Sequence, residues 1–294
     1  MTLLAASGRA PAMPAVTLPD GAAVPALGQG TWFMGERPER AADEVRALQL
    51  GLDLGMRLID TAEMYADGGA ETIVGQAIAG RRDEVFLVSK VYPHNAGGAA
   101  AARACEASLR RLGTDRIDLY LLHWPGRIPL QDTIAAMQRL QREGKILRWG
   151  VSNFDAQLLD RLLALPGGRD CAVNQVLYHL ASRGIDYDLR PLMRRAGMPV
   201  MAYCPLAQGG RIKGALLAHP ALQEVARRHG ATAAQVALAW TLREGGVIAI
   251  PKAVDPGHVR ENAKAAALRL DQADLRALDA AFPPPSSRQP LDVV

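Results

Sequence analysis

Gly51-Leu-Asp-Leu-Gly-Met-Arg-Leu-Ile-Asp-Thr-Ala-Glu-Met-Tyr65 passes from the end of one element into the start of the next. Ala41, Val45, Leu48 and Leu52 keep helical spacing up to it. Gly51 and Gly55 suit the C-cap or turn conformations that a Cβ opposes. Met56 to Ile59 is an apolar run too brief for a helix and bounded by glycine, so it reads as a buried strand. Polarity begins where that strand ends, with Asp60, Thr61, Glu63 and Tyr65. A carboxylate at the carboxyl end of a buried strand, with a phenol five residues on, can form the rim of an active site. Equally, Asp60 can cap a turn and Tyr65 can lay its ring on the surface. On this stretch alone the second reading is the better one.

Working outward, Val16-Thr-Leu-Pro-Asp-Gly21 followed by Val24 predicts a β-hairpin through Asp-Gly. Ala26 to Thr31 reads as a first strand, with Trp32-Phe33-Met34 in its loop. Gly28-Gln-Gly30 lacks the third glycine and the directly following helix of a dinucleotide fingerprint, which excludes a Rossmann reading. Downstream, strands are expected at Val85 to Val88, Ile117 to Leu122, Leu147 to Val151, Ala172 to Val176, Val200 to Tyr203 and Val247 to Ile250. Helices alternate with them, around Cys105 to Leu112, Ile134 to Leu140 (stopped by Gly144), Leu158 to Leu162 and Leu189 to Arg195. Thr232-x-x-Gln235 has the form of a capping box that opens a further helix, and helical patterns fill 256–267 and 271–281.

Strands alternating with helices argue for a parallel sheet, and eight units suit a closed barrel better than an open doubly wound sheet, which stays as the alternative. The expected fold is α/β, a (β/α)8 TIM barrel with an N-terminal β-hairpin and extra C-terminal helices. The small, Pro-rich residues 1–15 predict a disordered start, 16–282 a single domain, and 283–294 a tail opened by Pro283-Pro-Pro-Ser-Ser.

Composition narrows the class. The chain has 294 residues, a length that α/β barrels reach as one domain. It is 49% apolar and 22% charged, as for a globular protein with a sizeable core. A net charge of +4, with basic residues spread over helices, gives no support for nucleic acid or membrane partners. Cys105, Cys171 and Cys204 are odd in number and lack metal-ligand spacing, so no metal is expected and buried thiols in a reducing cytoplasm are. No signal-peptide pattern or apolar run of membrane-spanning length is present. A cytoplasmic location follows. Nothing sets the oligomeric state, and a monomer is compatible with the chain.

In a (β/α)8 barrel the chemistry belongs at the carboxyl ends of the strands. Each apolar run here ends in a polar or aromatic residue: Trp32, Asp60, Lys90, His123, Ser152-Asn153, Gln175, Tyr203 and Lys252. Singly, each has an ordinary structural explanation. Together they form a ring of acid, base and amide groups at one mouth.

Gly55 to Tyr65, as G-x-R-x-I-D-T-A-x-x-Y, resembles the signature of the aldo-keto reductases, NAD(P)H-dependent carbonyl reductases built on this barrel. The resemblance runs from about residue 16 to 282. It implies a catalytic tetrad of Asp60, Tyr65, Lys90 (in Val88-Ser-Lys90) and His123 (in Leu121-Leu-His-Trp-Pro125). Gly150-Val-Ser-Asn-Phe154 and Asn174-Gln175 are similar to the segments that hold the nicotinamide carboxamide, and Tyr203 to the ring stacked on it. The resemblance extends the cofactor site to Thr31, Trp32, Asp60, Ser152, Asn153, Gln175, Pro205 and Leu206. Ile250-Pro-Lys-Ala253, Glu261 and Asn262 match the adenosine-phosphate site. There are departures: Cys204 and Ala253 stand where the family has hydroxyls, and His258 stands for an arginine. Lys252 remains for a 2′-phosphate and Arg260 is placed to assist, so NADPH is expected, with NADH possible.

In the implied chemistry, Tyr65 gives the proton that a carbonyl needs as it accepts hydride. Its free pKa near 10 makes it a weak acid, which a neighbouring Lys90 ammonium is expected to lower. Asp60 holds Lys90, and a neutral His123 orients the carbonyl oxygen. Trp32, Met34, Tyr92, His94 and Trp124 are expected to line the substrate pocket, with a short tail leaving the site open. The loop residues following Asp60 and Lys90 are similar to the bacterial branch that reduces methylglyoxal and other small aldehydes or ketoaldehydes. Two alternatives are an NADPH-binding regulatory subunit without significant turnover and a Schiff-base lyase using Lys90.

Overall fold

The structure, a computed structural model, describes residues 13–294. The disordered start expected for residues 1–15 lies outside the described residues as far as residue 12, and Ala15 is already in a strand. An antiparallel hairpin of β1 (Ala15–Thr17) and β2 (Ala23–Pro25) turns where Gly21 N–H donates to Leu18 O at 2.9 Å. Then β3 (Gln29–Gly30), α1 (Ala41–Asp53), β4 (Leu58–Asp60), α2 (Gly69–Ile78) and β5 (Phe86–Val91) follow. Next come α3 (Gly98–Leu112), β6 (Ile117–Leu122), α4 (Leu130–Arg142), β7 (Ile146–Ser152), α5 (Ala156–Ala164) and β8 (Cys171–Leu177). The chain continues through α6 (Leu189–Arg195), β9 (Val200–Tyr203), α7 (Arg211–Leu217), α8 (Pro220–Arg228), α9 (Ala233–Leu242) and β10 (Val247–Ala249). Two helices, α10 (Pro256–Ala265) and α11 (Gln272–Ala281), complete it.

Strands β3 to β10 form one parallel sheet in sequence order, and its two edges meet. Ala249 N–H donates to Ala26 O at 2.8 Å and Gly28 N–H to Ala249 O at 2.9 Å, with Leu27 bridged to Ala249. Closure leaves no bare edge for another chain to pair with. An open sheet is thereby excluded. Only Gln29 and Gly30 of the expected first strand pair with β4, because the residues before them pair with β10 instead.

Two apolar layers follow from the period-2 alternation of strand side chains. Leu58, Val88, Leu119, Leu121, Val173 and Met201 point into the barrel, where the hairpin residues Val16, Leu18 and Val24 plug one end. Ile59, Leu87, Val91, Tyr120 and Leu122 point outward against the helices. The inward parity continues to Asp60, Lys90, His123 and Gln175, so the alternation that builds the inner core also aims the polar residues into the mouth.

Gly51 is a correction. It lies within α1 and not at its cap, and it is required by close approach: a Cβ there would stand 1.9 Å from Gln29 Oε1. The Gln29 amide donates to Leu48 O at 3.1 Å and Met56 O at 3.0 Å, tying α1 to the start of the next strand. Gly55 is the residue with left-handed backbone, φ 91°. Thr232 and Gln235 form the expected reciprocal capping box of α9. Among the described residues no helix is long and apolar enough to cross a membrane.

Candidate active site

A cavity of about 580 Å³ opens at the carboxyl ends of the barrel strands. Asp60 ends β4, Lys90 lies near the end of β5, His123 follows β6, Ser152 ends β7, Gln175 sits on β8 and Tyr203 ends β9. Among the described residues, six outside glycine carry left-handed φ: Phe33, Ala66, Asp67, Asn153, Cys204 and Ala207. All six fall in loops that leave those strand ends. Such strain persists only where surrounding structure imposes it, and its concentration at one mouth marks the functional face.

Lys90 is fully buried and its ammonium meets three oxygens. Nζ donates to Asp60 Oδ2 at 2.8 Å, to Thr61 O at 2.8 Å and to Tyr65 Oη at 3.1 Å. Asp60 is completed by Gln175 Nε2, which donates to Oδ1 at 2.7 Å. Burial pushes Lys90 down and Asp60 up from their ordinary values, and their mutual attraction opposes both shifts. Three acceptors around Nζ and two donors on Asp60 fit a carboxylate–ammonium pair. The geometry holds the charged form.

The expected acidification of Tyr65 is overturned. Burial, and next the Asp60 charge, hold the phenol well above its ordinary value of 10. Burial penalises the phenolate despite the ammonium beside it. Tyr65 therefore stays protonated. Since Lys90 donates to its oxygen, the phenolic hydrogen is left to point elsewhere. His123 is pushed down to about 2 by burial and by the Lys90 charge, so its imidazole is neutral. Its ring meets Tyr65 edge-on at 5.7 Å between centroids.

Of the other expected residues, Thr31, Trp32, Ser152, Asn153, Gln175, Tyr203, Pro205, Leu206 and Lys252 line the cavity. Tyr203 Oη donates to Asn153 Oδ1 at 2.9 Å, which fixes the strained Asn153. Asn174 faces away and spends its amide on Phe154, donating to its O at 2.8 Å and accepting from its N–H at 3.3 Å. His258, Glu261 and Asn262 sit on α10 and do not line this cavity. His258 N–H caps onto Asp255 Oδ1 at 3.0 Å, and Glu261 O accepts from Gln235 Nε2 at 3.1 Å.

The pocket expectations divide. Trp32 and Trp124 line the cavity. Met34 does not: it is wholly buried in the outer core, because the loop doubles back after the left-handed Phe33. Tyr92 and His94 stack on each other at 4.9 Å, and Tyr92 meets Trp124 edge-on at 5.8 Å, outside the lining. Phe33, Met64, Gln208, Lys213 and Val294 line it without having been anticipated. Lys213 lies on α7, whose apolar pattern is short, and Val294 carries no pattern at all. The tail, expected to leave the site open, folds back across the face. Ser182 Oγ donates to Asp292 Oδ2 at 2.5 Å, and Arg288 pairs with Asp188 at 3.2 Å.

Known proteins share this fold. Residues 26–282 match the Aldo/keto reductase family. The chain is 56% identical over 271 residues to the methylglyoxal reductase YeaE of Escherichia coli, covering 92% of this chain and 95% of that one. It is 36% identical to the glyoxal reductase of Bacillus subtilis over 90% of this chain and 91% of that one. An aldo-keto reductase from Klebsiella pneumoniae, solved in complex with NADPH, superposes with a TM-score of 0.94 at 55% identity, covering 96% of this chain and 99% of that one. Match length, identity and the superposed barrel agree with the strand-end geometry, and this chain belongs to the aldo/keto reductase family.

Proposed function

We propose that this protein reduces small aldehydes and ketoaldehydes, methylglyoxal among them, to alcohols with NADPH in the cytoplasm. The observation that carries the reading is the Lys90–Tyr65 contact. Lys90 spends its third proton on the Tyr65 oxygen at 3.1 Å, leaving the phenolic hydrogen to donate toward the cavity. The names of the E. coli and B. subtilis relatives support the substrate class.

The residues present fit a nicotinamide nucleotide. The cavity joins hydroxyl and amide side chains (Ser152, Asn153, Gln175) and an aromatic ring (Tyr203) to two lysines, Lys213 and Lys252. Those types suit a carboxamide, a planar ring and phosphates respectively. Bound there, the reduced nicotinamide supplies hydride. The protein supplies the rest. Neutral His123 orients the substrate oxygen. Tyr65 donates its proton as alkoxide charge develops, and the phenolate left behind is held by the Lys90 ammonium. Asp60 and Gln175 keep that ammonium in place. Trp32 and Trp124 add apolar surface to the cavity lining.

The lyase reading requires a free amine on Lys90. Here Nζ is buried and committed to three acceptors. The regulatory-subunit reading has no feature to favour it. Loss of nicotinamide absorbance with methylglyoxal and a panel of small carbonyls, using NADPH and NADH, tests the proposal. Cofactor binding without turnover across the panel would sink it.

A further inference from the structure

Lys90 is held from outside the barrel as well as from within. Ser89, one residue before it on β5, points the opposite way, and its Oγ donates to Glu71 Oε1 at 2.6 Å. Glu71 stands in the first turn of α2 and is fully buried. Its other oxygen accepts from Arg111 Nε of α3 at 2.6 Å, and Arg111 Nη2 donates to Ser108 Oγ at 3.2 Å. The Arg111 side chain lies so close to Gly68 that a Cβ there would come within 2.4 Å of Nε. Gly68 closes the short 3-10 turn Tyr65–Gly68 that carries the phenol. One carboxylate therefore joins the residue before Lys90 to the end of the Tyr65 turn. Packing α2 on β5 does not require it: a buried ion pair costs desolvation that an apolar contact would not.

We propose that Glu71 is a positioning residue for the reaction, setting the Lys90–Tyr65 geometry through Ser89 and Arg111. The inference rests on the reductase reading above. Glu71 also faces Lys90 electrostatically. Burial lowers Lys90, Asp60 opposes that most, and Glu71 adds to the opposition. The other titratable groups around Glu71 are Arg111 and Cys105 on α3 and Tyr120 on β6, beside Ser89 on β5. Removing its charge lets the Lys90 ammonium lose its proton at lower pH.

The test uses the full chain, Glu71→Gln and Ser89→Ala. NADPH-binding sites are counted by fluorescence titration, and kcat per site, KM for methylglyoxal, NADPH Kd and the pH profile of kcat are measured. Small misplacements of reacting groups are costly, so Glu71→Gln should lower kcat per site about tenfold, with KM and Kd held within about twofold. Its alkaline limb should move to lower pH. Ser89→Ala keeps the Glu71–Arg111 pair, so it should lower kcat about threefold and leave the limb in place. An unmoved limb in Glu71→Gln, or kcat per site within about twofold of wild type in either variant, would overturn the proposal. Should Glu71→Gln fail to fold, kcat per site in Ser89→Ala decides alone. An inactive wild-type chain removes the reductase reading and this one with it, and shows before any substitution is made.

Discussion

Tyr65 accepts a hydrogen bond from Lys90 and keeps its own proton free, an arrangement that one deleted oxygen abolishes. In Tyr65→Phe, the alkoxide must form unprotonated or recruit water. General acid catalysis contributes about 10²- to 10⁴-fold, so kcat should fall by that order, with NADPH affinity nearly unchanged. Retained kcat would remove Tyr65 from the chemistry. Lys252 lines the cavity together with Lys213. Lys252→Met should weaken NADPH about 10- to 100-fold and NADH little, since only NADPH offers a 2′-phosphate and a charge-assisted bond contributes about 1.5–3 kcal/mol. Equal losses, measured by fluorescence titration, would assign Lys252 to the shared phosphates.

At the scale of elements, the junction between α1 and β4 depends on the Gln29 amide lying over Gly51. In Gly51→Ala, a methyl group and that amide cannot both occupy the space. Overpacking and two buried hydrogen bonds are at stake, so unfolding stability should fall by about 2–4 kcal/mol in chemical denaturation. An unchanged midpoint would show that Gln29 can leave at no cost. The sequence offered Gly51 as a helix end because its lack of a side chain suits that role too. Only the approach of a residue 22 positions earlier in the chain distinguishes the two.

For the whole molecule, two histidines couple folding to protons. Burial pushes His123 from 6.5 to about 2 and His179 from 6.5 to about 4. Below 6.5 the unfolded chain therefore binds protons that the folded chain refuses. Stability is full above that pH and is lost as pH falls toward the folded values. Between pH 7 and pH 5 each should remove about 2 kcal/mol. His179→Asn, which keeps an acceptor for the Ala181 N–H now bonded to Nδ1 at 3.2 Å, should flatten the acid loss of melting temperature by its share. A variant as acid-sensitive as wild type would assign the loss elsewhere.

Local chemistry made much of this protein legible from its sequence. Short apolar runs between helical patterns predicted the strands, and polar residues ending those runs gave Asp60, Lys90, His123, Gln175 and Tyr203, because a strand's alternation is written directly into its residues. The resemblance, carried by Gly55 to Tyr65 and by the matching segments around Lys90, His123, Gln175 and Tyr203, supplied their expected roles. Tertiary structure decided what depends on distant partners. Barrel closure rests on bonds between Ala26–Gly28 and Ala249. Met34 left the pocket for the core when a left-handed Phe33 turned the loop. The tail reached the cavity through Ser182 and Arg288. Tyr65 kept a high pKa because burial, a property of the packed molecule and of no single residue, outweighed the ammonium beside it.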